Sequence, residues 1–193
     1  MANLRAIHSV GTSLVNFLKN TYPDDLKAAH PCDFRLLSGG ELNGKDDFGT
    51  TLSLYCYRIT MNQHLRNGAP HAGSTSAAAL SLDLHFLLTV WASSALAELN
   101  IAGWALRQLH MHQTLSQSDL TPEAGWLPDD FVQVIPAELG NEELMRIWDA
   151  LDPAYRLTVS YIARVVRIDV DTVPDARPVV ARQFQIGPRE EHQ

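Results

Sequence analysis

Residues Gly39 to Asp46, GGELNGKD, have the G-x-x-x-x-G-K spacing of a loop that cradles phosphate. Three features argue against that chemistry. Asp46 stands where a Ser or Thr hydroxyl would hold magnesium, and Asp46 with Asp47 would repel a phosphate. The stretch also runs into a strand-like segment, so no helix N-terminus is expected to face an anion there. A polar hairpin loop is the expectation.

Asp83 and His85 lie two apart in an alternating stretch, so both leave the same side of a strand and could act as acid and base. No G-x-S-x-G nucleophile elbow accompanies them. The competing reading is a polar strand face turned to water, another strand or another subunit. His110 and His112 are also two apart, but in a helical stretch, where that spacing points them about 160° from each other and denies them a shared metal. H-E-x-x-H, C-x-x-C and EF-hand spacings are absent from the sequence. Tyr55, Tyr57 and Tyr161 could stack nucleic-acid bases, but a net charge of −7 and a pI near 5.5 disfavour a phosphate backbone as partner. Core or interface positions are expected for them. The two cysteines, Cys32 and Cys56, do not make a disulfide framework, and Cys56 is expected as a buried free thiol. No catalytic residue, cofactor, metal or nucleic-acid partner is therefore expected. The residues favour an interaction or structural protein, with an enzyme around Asp83 and His85 as the lesser alternative.

The elements that must position these residues centre on Leu80–Trp91, LSLDLHFLLTVW. Leu80, Leu82, Leu84, Phe86, Leu88 and Val90 share one side, and Ser81, Asp83, His85 and Thr89 the other, with Leu87 the apolar exception. Strict alternation of this length predicts a strand with one dry face, inside a sheet covered by helices. The N-terminal stripe Leu4, Ile7, Val10, Leu14, Phe17 and Leu18 predicts a helix over 3–21, weakened at Gly11 and stopped before Pro23. Residues 24–29 are one more turn or a loop. Cys32–Leu37 is a short strand, Ser38–Gly49 a turn-rich link, and Thr50–Asn62 a long strand with Leu52, Leu54 and Cys56 on one face and Tyr55, Tyr57, Ile59 and Met61 on the other. Residues 63–78 form a long loop. Ser93 or Ser94 caps a helix over 94–112 with Leu96, Leu99, Ala102, Gly103, Leu106 and Leu109 inward. A loop tucked down by Trp126 leads to a strand at Phe131–Ile135. Asn141 caps a helix whose core face is Leu144, Ile147, Trp148 and Leu151. A last strand covers Tyr155–Asp169 with Leu157, Val159, Tyr161, Ala163 and Val165 on one face. Residues 170–193 carry three prolines and no core pattern.

These elements predict an α+β fold, mainly an antiparallel sheet covered by about three helices. The domain is expected over 1–169, with an extended arm over 170–193. A chain of 193 residues buries roughly 70% of its unfolded surface and needs no covalent staples. It has no apolar run of about 18 residues, so no membrane insertion is expected, and MANLRAIHSVG carries no secretory pattern. Folding in the cytoplasm is expected.

The order Tyr57-Arg58-Ile59, Asn62, Arg66-Asn67 resembles a Y-R-V-x-x-N-x-x-x-R-N motif. Leu80–Thr89, LSLDLHFLLT, is similar to L-x-L-D-L-H-Y-L-L-T of the same family. Ile147-Trp148-Asp149-Ala150-Leu151, Tyr155-Arg156, Ser160-Tyr161 and Arg164-Val165-Val166 continue the order. The resemblance is to the cap, or tail-terminator, proteins of phage-tail-like contractile injection systems of the virulence-cassette and antifeeding-prophage type, over about residues 3–169. It implies a tail-terminator-like fold and a structural cap. Such a cap is a homo-hexameric ring that ends polymerisation of the inner tube, the sheath or both, made in the cytoplasm and carried on the finished particle. Another non-enzymatic tail or baseplate component is the alternative. Asn62, Arg66 and Asn67 are the interface candidates within the motif. In the arm, the short apolar pairs Val179-Val180 and Phe184-x-Ile186 are strand-like segments able to add to an open sheet edge.

Overall fold

The computed structural model describes residues 2–44, 47–62 and 80–168. Its elements are α1 (Ala6–Thr21), α2 (Asp24–Ala29), β1 (Asp33–Leu37), α3 (Gly39–Asn43), β2 (Thr51–Met61), β3 (Leu80–Trp91), α4 (Ala95–Met111), β4 (Thr114–Ser116), a 3-10 turn at Pro122–Ala124, β5 (Phe131–Pro136), α5 (Asn141–Asp149) and β6 (Thr158–Ile168). The strands form one sheet in the order β1-β2-β3-β6-β5-β4. All neighbours are antiparallel except β1 and β2, which are parallel. The fold is α+β around a mixed sheet, with β3 at its centre as its alternation requires.

Helices cover both faces. On the first, Val10, Leu14 and Leu18 of α1 and Ala97, Ile101, Ala105 and Leu109 of α4 meet Leu52, Leu54, Leu82, Leu84, Phe86, Leu88 and Val90 in one core. On the second, Leu42 of α3 and Trp148 of α5 close over Leu37, Phe48 and Trp91. Leu87, the exception on the polar side of β3, is 1% exposed because that side is covered too.

Five expectations about the strands, α4 and α5 need correction. The link after β1 is a crossover, not a hairpin loop: parallel strands cannot be joined by a tight turn, and α3 forms inside it behind a Ser38–Glu41 capping box. On β2 the register slips between Cys56 and Arg58, a bulge that inserts Tyr57. Side-chain parity reverses there, so Ile59 and Met61 pair with Leu84 and Leu82 and share the face of Leu54 rather than that of Tyr55. A second slip, opposite Leu82 and Leu84, falls in β6; beyond Ala163 the inward positions are Val166 and Ile168. Leu157, expected inward, precedes the strand and is exposed.

The other two concern helices. The α4 core row is Ala97, Ile101, Ala105 and Leu109, at a spacing of four, so two alanines bring the helix close to the sheet. Leu96 and Leu99 point outward at 66% and 58% exposure, and Gly103 has open space where a Cβ would be. Asn141 is the first residue of α5 and not its cap, which falls on extended Gly140 without a side-chain bond. Residues 24–29, left open between turn and loop, form α2.

α1 is shorter than its apolar stripe. Asn3 Oδ1 accepts the Arg5 N–H at 2.8 Å, the helix begins at Ala6, and Leu4 is left 80% exposed. A buried hydroxyl network ties the loop before β5 to α1. Trp126 Nε1 donates to Ser9 Oγ at 2.9 Å, the Thr121 N–H donates to Ser13 Oγ at 2.8 Å, and Ser13 Oγ donates to Ser9 O at 2.6 Å. Trp126 thus tucks the loop down, as its position predicts. No described helix is long and apolar enough to cross a membrane.

Candidate assembly surface

The described polar residues of the motif on β2 and β3 converge on the second face of the sheet. β2 and β3 pair Arg58 with His85 and Thr60 with Asp83, which sets four polar side chains in two adjacent rows. Asn62 closes the far end: its amide Nδ2 donates to both Asp83 oxygens at 3.0 and 3.2 Å, and its backbone N–H donates to Ser81 O. His85 lies between Thr60, whose Oγ1 is 3.0 Å from Nε2, and Arg58, whose Nη2 approaches Nδ1 at 3.5 Å. Arg58 is always a donor, so Nδ1 accepts and Nε2–H donates to Thr60. Arg58 also stacks over the Tyr57 ring and reaches across to α5, where Nη1 meets Glu143 Oε1 at 3.0 Å. The Tyr57 hydroxyl lies 3.2 Å from Ser160 Oγ of β6.

The bulge makes this cluster. By adding one residue it turns Tyr57 toward β6 and still sets Arg58 beside His85. Burial first, and the Arg58 charge second, hold the His85 imidazole below its ordinary pKa, against smaller pulls from Asp83 and Glu143. It is therefore neutral at neutral pH, with both nitrogens engaged. The Asp83 carboxylate is held by Asn62. Through these contacts the pair joins β2 to β3.

The other sequence candidates resolve in the same direction. At 39–46 a helix does begin, against expectation, but its first turn is occupied by the chain's own carboxylate: the Ser38 N–H donates to Glu41 Oε2 at 2.8 Å and the Glu41 N–H to Ser38 Oγ at 3.3 Å. The neighbouring cleft of about 650 Å3 carries Asp47 and Asp152 beside Arg156, a poor setting for phosphate. His112 follows α4, with Nδ1 3.2 Å from Gln108 O and its ring on Phe17. Among the described residues no group of three His, Cys, Asp or Glu could hold a metal. Tyr161 is 3% exposed in the core, and Tyr55 packs with the second cluster, so neither offers a face to a base. Cys32 and Cys56 are free and half-buried. Burial pushes the Cys32 thiol up to about 11 and raises that of Cys56.

Of the interface candidates, Asn62 is described, and its side chain is spent inside the fold at 6% exposure. Arg66, Asn67, Val179, Val180, Phe184 and Ile186 lie outside the described residues. The sequence reading missed the link from Arg58 to Glu143, whose only trace was two acidic residues opening a helix. It also missed two outward apolar sets. One is Leu96 and Leu99 on α4; the other is Ile59, Met61 and Leu80 at the opposite end of the sheet, 46%, 58% and 38% exposed.

The fold is shared with proteins that end contractile assemblies. At 17% identity and a TM-score of 0.60, the chain resembles the sheath/tube terminator of an extracellular contractile injection system, PVC, in its extended state, with 96% of this chain and 65% of that one covered. It resembles the anti-feeding prophage cap, the AFP tube terminating cap, at 16% identity and a TM-score of 0.53, covering 89% of this chain and 61% of that one. At these identities the likeness is one of fold, and the chain spans less than two thirds of the length of either. No curated protein sequence matches it. A family model described as the Pvc16 N-terminal domain matches residues 9–182, nearly the whole chain, and the chain belongs to that family.

Proposed function

We propose that this chain is a structural cap of a contractile injection system, ending polymerisation of the inner tube, the sheath or both. The observation that carries the reading is the family match over residues 9–182, on a fold like that of a sheath/tube terminator and of a tube-terminating cap. The chemistry agrees with it. Tyr57, Arg58, Asn62, Asp83 and His85 are engaged in contacts that hold β2, β3, β6 and α5 together, and the described surface includes outward aliphatic side chains such as Leu96 and Leu99. A cap acts through surfaces, binding the last layer of a polymer and offering no equivalent surface for the next.

A ring closed around a sixfold tube needs six copies joined head to tail, each using two different patches. The exposed α4 leucines, Leu96 and Leu99, next to the Trp91 end of β3, supply one such patch. Arg66, following Asn62 in the motif, supplies a forked cation for an acidic group on the neighbour or the tube. The chain is made in the cytoplasm and carried on the mature particle. Mass photometry and negative-stain microscopy of the purified chain, alone and with tubes, test the assembly: sixfold rings are expected, and monomer under both conditions would refute them.

A further inference from the structure

β1 stops short of its neighbour. Asp33–Leu37 pairs with Thr51–Tyr55, while β2 runs on to Met61. Among the described residues nothing pairs with the outer edge of 56–61. Outward N–H and C=O groups on such an edge are a template for another strand. A groove of about 760 Å3 opens at the end of β1 and reaches the near end of this edge at Cys56. Leu4 and Ile7 line it from the α1 side, Ser38 and Gly39 from the α3 side, and Cys56 and Phe86 lie between. Past the bulge, Ile59 and Met61 stand exposed on the same face as Leu54. The slot has the position and the lining of a missing strand.

The path of the chain says what fills it. β6 ends at Ile168, opposite Leu80, and Leu82 lies opposite Met61, so the chain leaves the sheet at the Met61 end of the slot. From β6 across β3 and β2 to the slot is three strand spacings, about 14 Å. Residues 169–178 span up to about 33 Å when extended. The next segment, Val179 to Ile186, reads VVARQFQI. Extended, it puts Val180, Phe184 and Ile186 on one side, with Arg182 between them lending an apolar stem.

We propose that the unpaired edge of β2, residues 56–61, is a strand-acceptor site, and that its occupant is residues 179–186 of the same chain. The added strand runs antiparallel to β2, entering at Met61. Val180 then lies beside Met61, and residues 184–186 reach Cys56. This needs no cap, ring or partner and stands apart from the assembly reading.

Cysteine pairing in the full-length chain tests it. In a Cys32→Ser background, Phe184→Cys and Ile186→Cys are oxidised in dilute solution, with Gln193→Cys as control. The expected result is an intrachain disulfide to Cys56 in at least one of the first two, read by mass and by the joined peptide, with the control reduced. No bond in either, or a bond only between chains, overturns the assignment. Amide exchange gives an independent reading. Val180→Pro and Ala181→Pro, made separately, cover both alternating N–H directions; one of the two should speed exchange across 56–61 by about ten-fold while β3 stays protected. Unchanged exchange there in both overturns it as well.

Discussion

Arg58 of β2 and Glu143 of α5 meet at 3.0 Å and join the sheet to the helix that covers its second face. The pair has one foot in the sequence motif and one outside it. Arg58 is held by the register opposite His85 and by the Tyr57 ring beneath it, so Glu143 meets a guanidinium that is already oriented. Both side chains are about half exposed, at 46% and 50%, so solvent screens the pair and its coupling should be small. A double-mutant cycle of Arg58→Ala and Glu143→Ala, followed by urea unfolding, should give about 0.2–1 kcal/mol, shrinking with salt. Arg58→Ala alone should cost more than Glu143→Ala, because it also uncovers Tyr57 and His85.

His85 predicts the acid side of the stability curve. Its folded pKa lies below the ordinary 6.5 because of burial and Arg58. The unfolded chain therefore takes up the proton first as pH falls, and stability declines below about 6.5. The contribution is fully present above that pH. The urea midpoint should drop between about pH 7.5 and about pH 5.5, and His85→Gln should drop less. Equal drops would remove His85 as the cause.

The hydroxyl network under Trp126 should be costly to break. Ser9 is fully buried and accepts the Trp126 indole N–H. Ser9→Ala leaves that donor without its acceptor, so a loss of about 1–3 kcal/mol is expected, with a shift of tryptophan emission as the loop loosens. Chemical denaturation followed by fluorescence reads both.

Two helical glycines should answer substitution in opposite directions. A Cβ on Gly11 would stand 2.9 Å from both methyls of Leu36, where α1 crosses β1. Gly11→Val should cost about 1–3 kcal/mol by overpacking. Gly103 meets nothing within 4 Å, and Gly103→Ala should gain about 0.5–1 kcal/mol from helix propensity. Thermal unfolding of the two variants measures the contrast.

The sequence reading succeeds where period and packing agree. β3 alternates because the face from Leu82 to Val90 is dry, and Trp148 with Leu144 and Leu151 keeps helical spacing because α5 has one side to bury. It fails where local geometry changes the period. No alternation carries through the extra residue at Tyr57, so plain alternation puts Ile59 and Met61 on the wrong face. On α4, leucines and alanines both look apolar, and packing on the sheet selects the small row. The parallel β1–β2 pair was hidden because a short crossover and a hairpin link share the same turn-rich residues. The Asp83–His85 spacing was legible as a shared face, but its partners Asn62, Thr60 and Arg58 follow from the register of a different strand. The slot beside β2 could not be read at all, since it arises from where β1 stops.

The most direct test of the account is the length of assembled tubes with and without this chain, measured by electron microscopy on particles from otherwise identical preparations. With the chain, tubes should share one length and carry a ring at one end. Without it, or with Arg66→Glu, lengths should spread widely and the end ring should be missing. Tubes of normal, uniform length assembled without the chain would contradict the proposal that it is a cap.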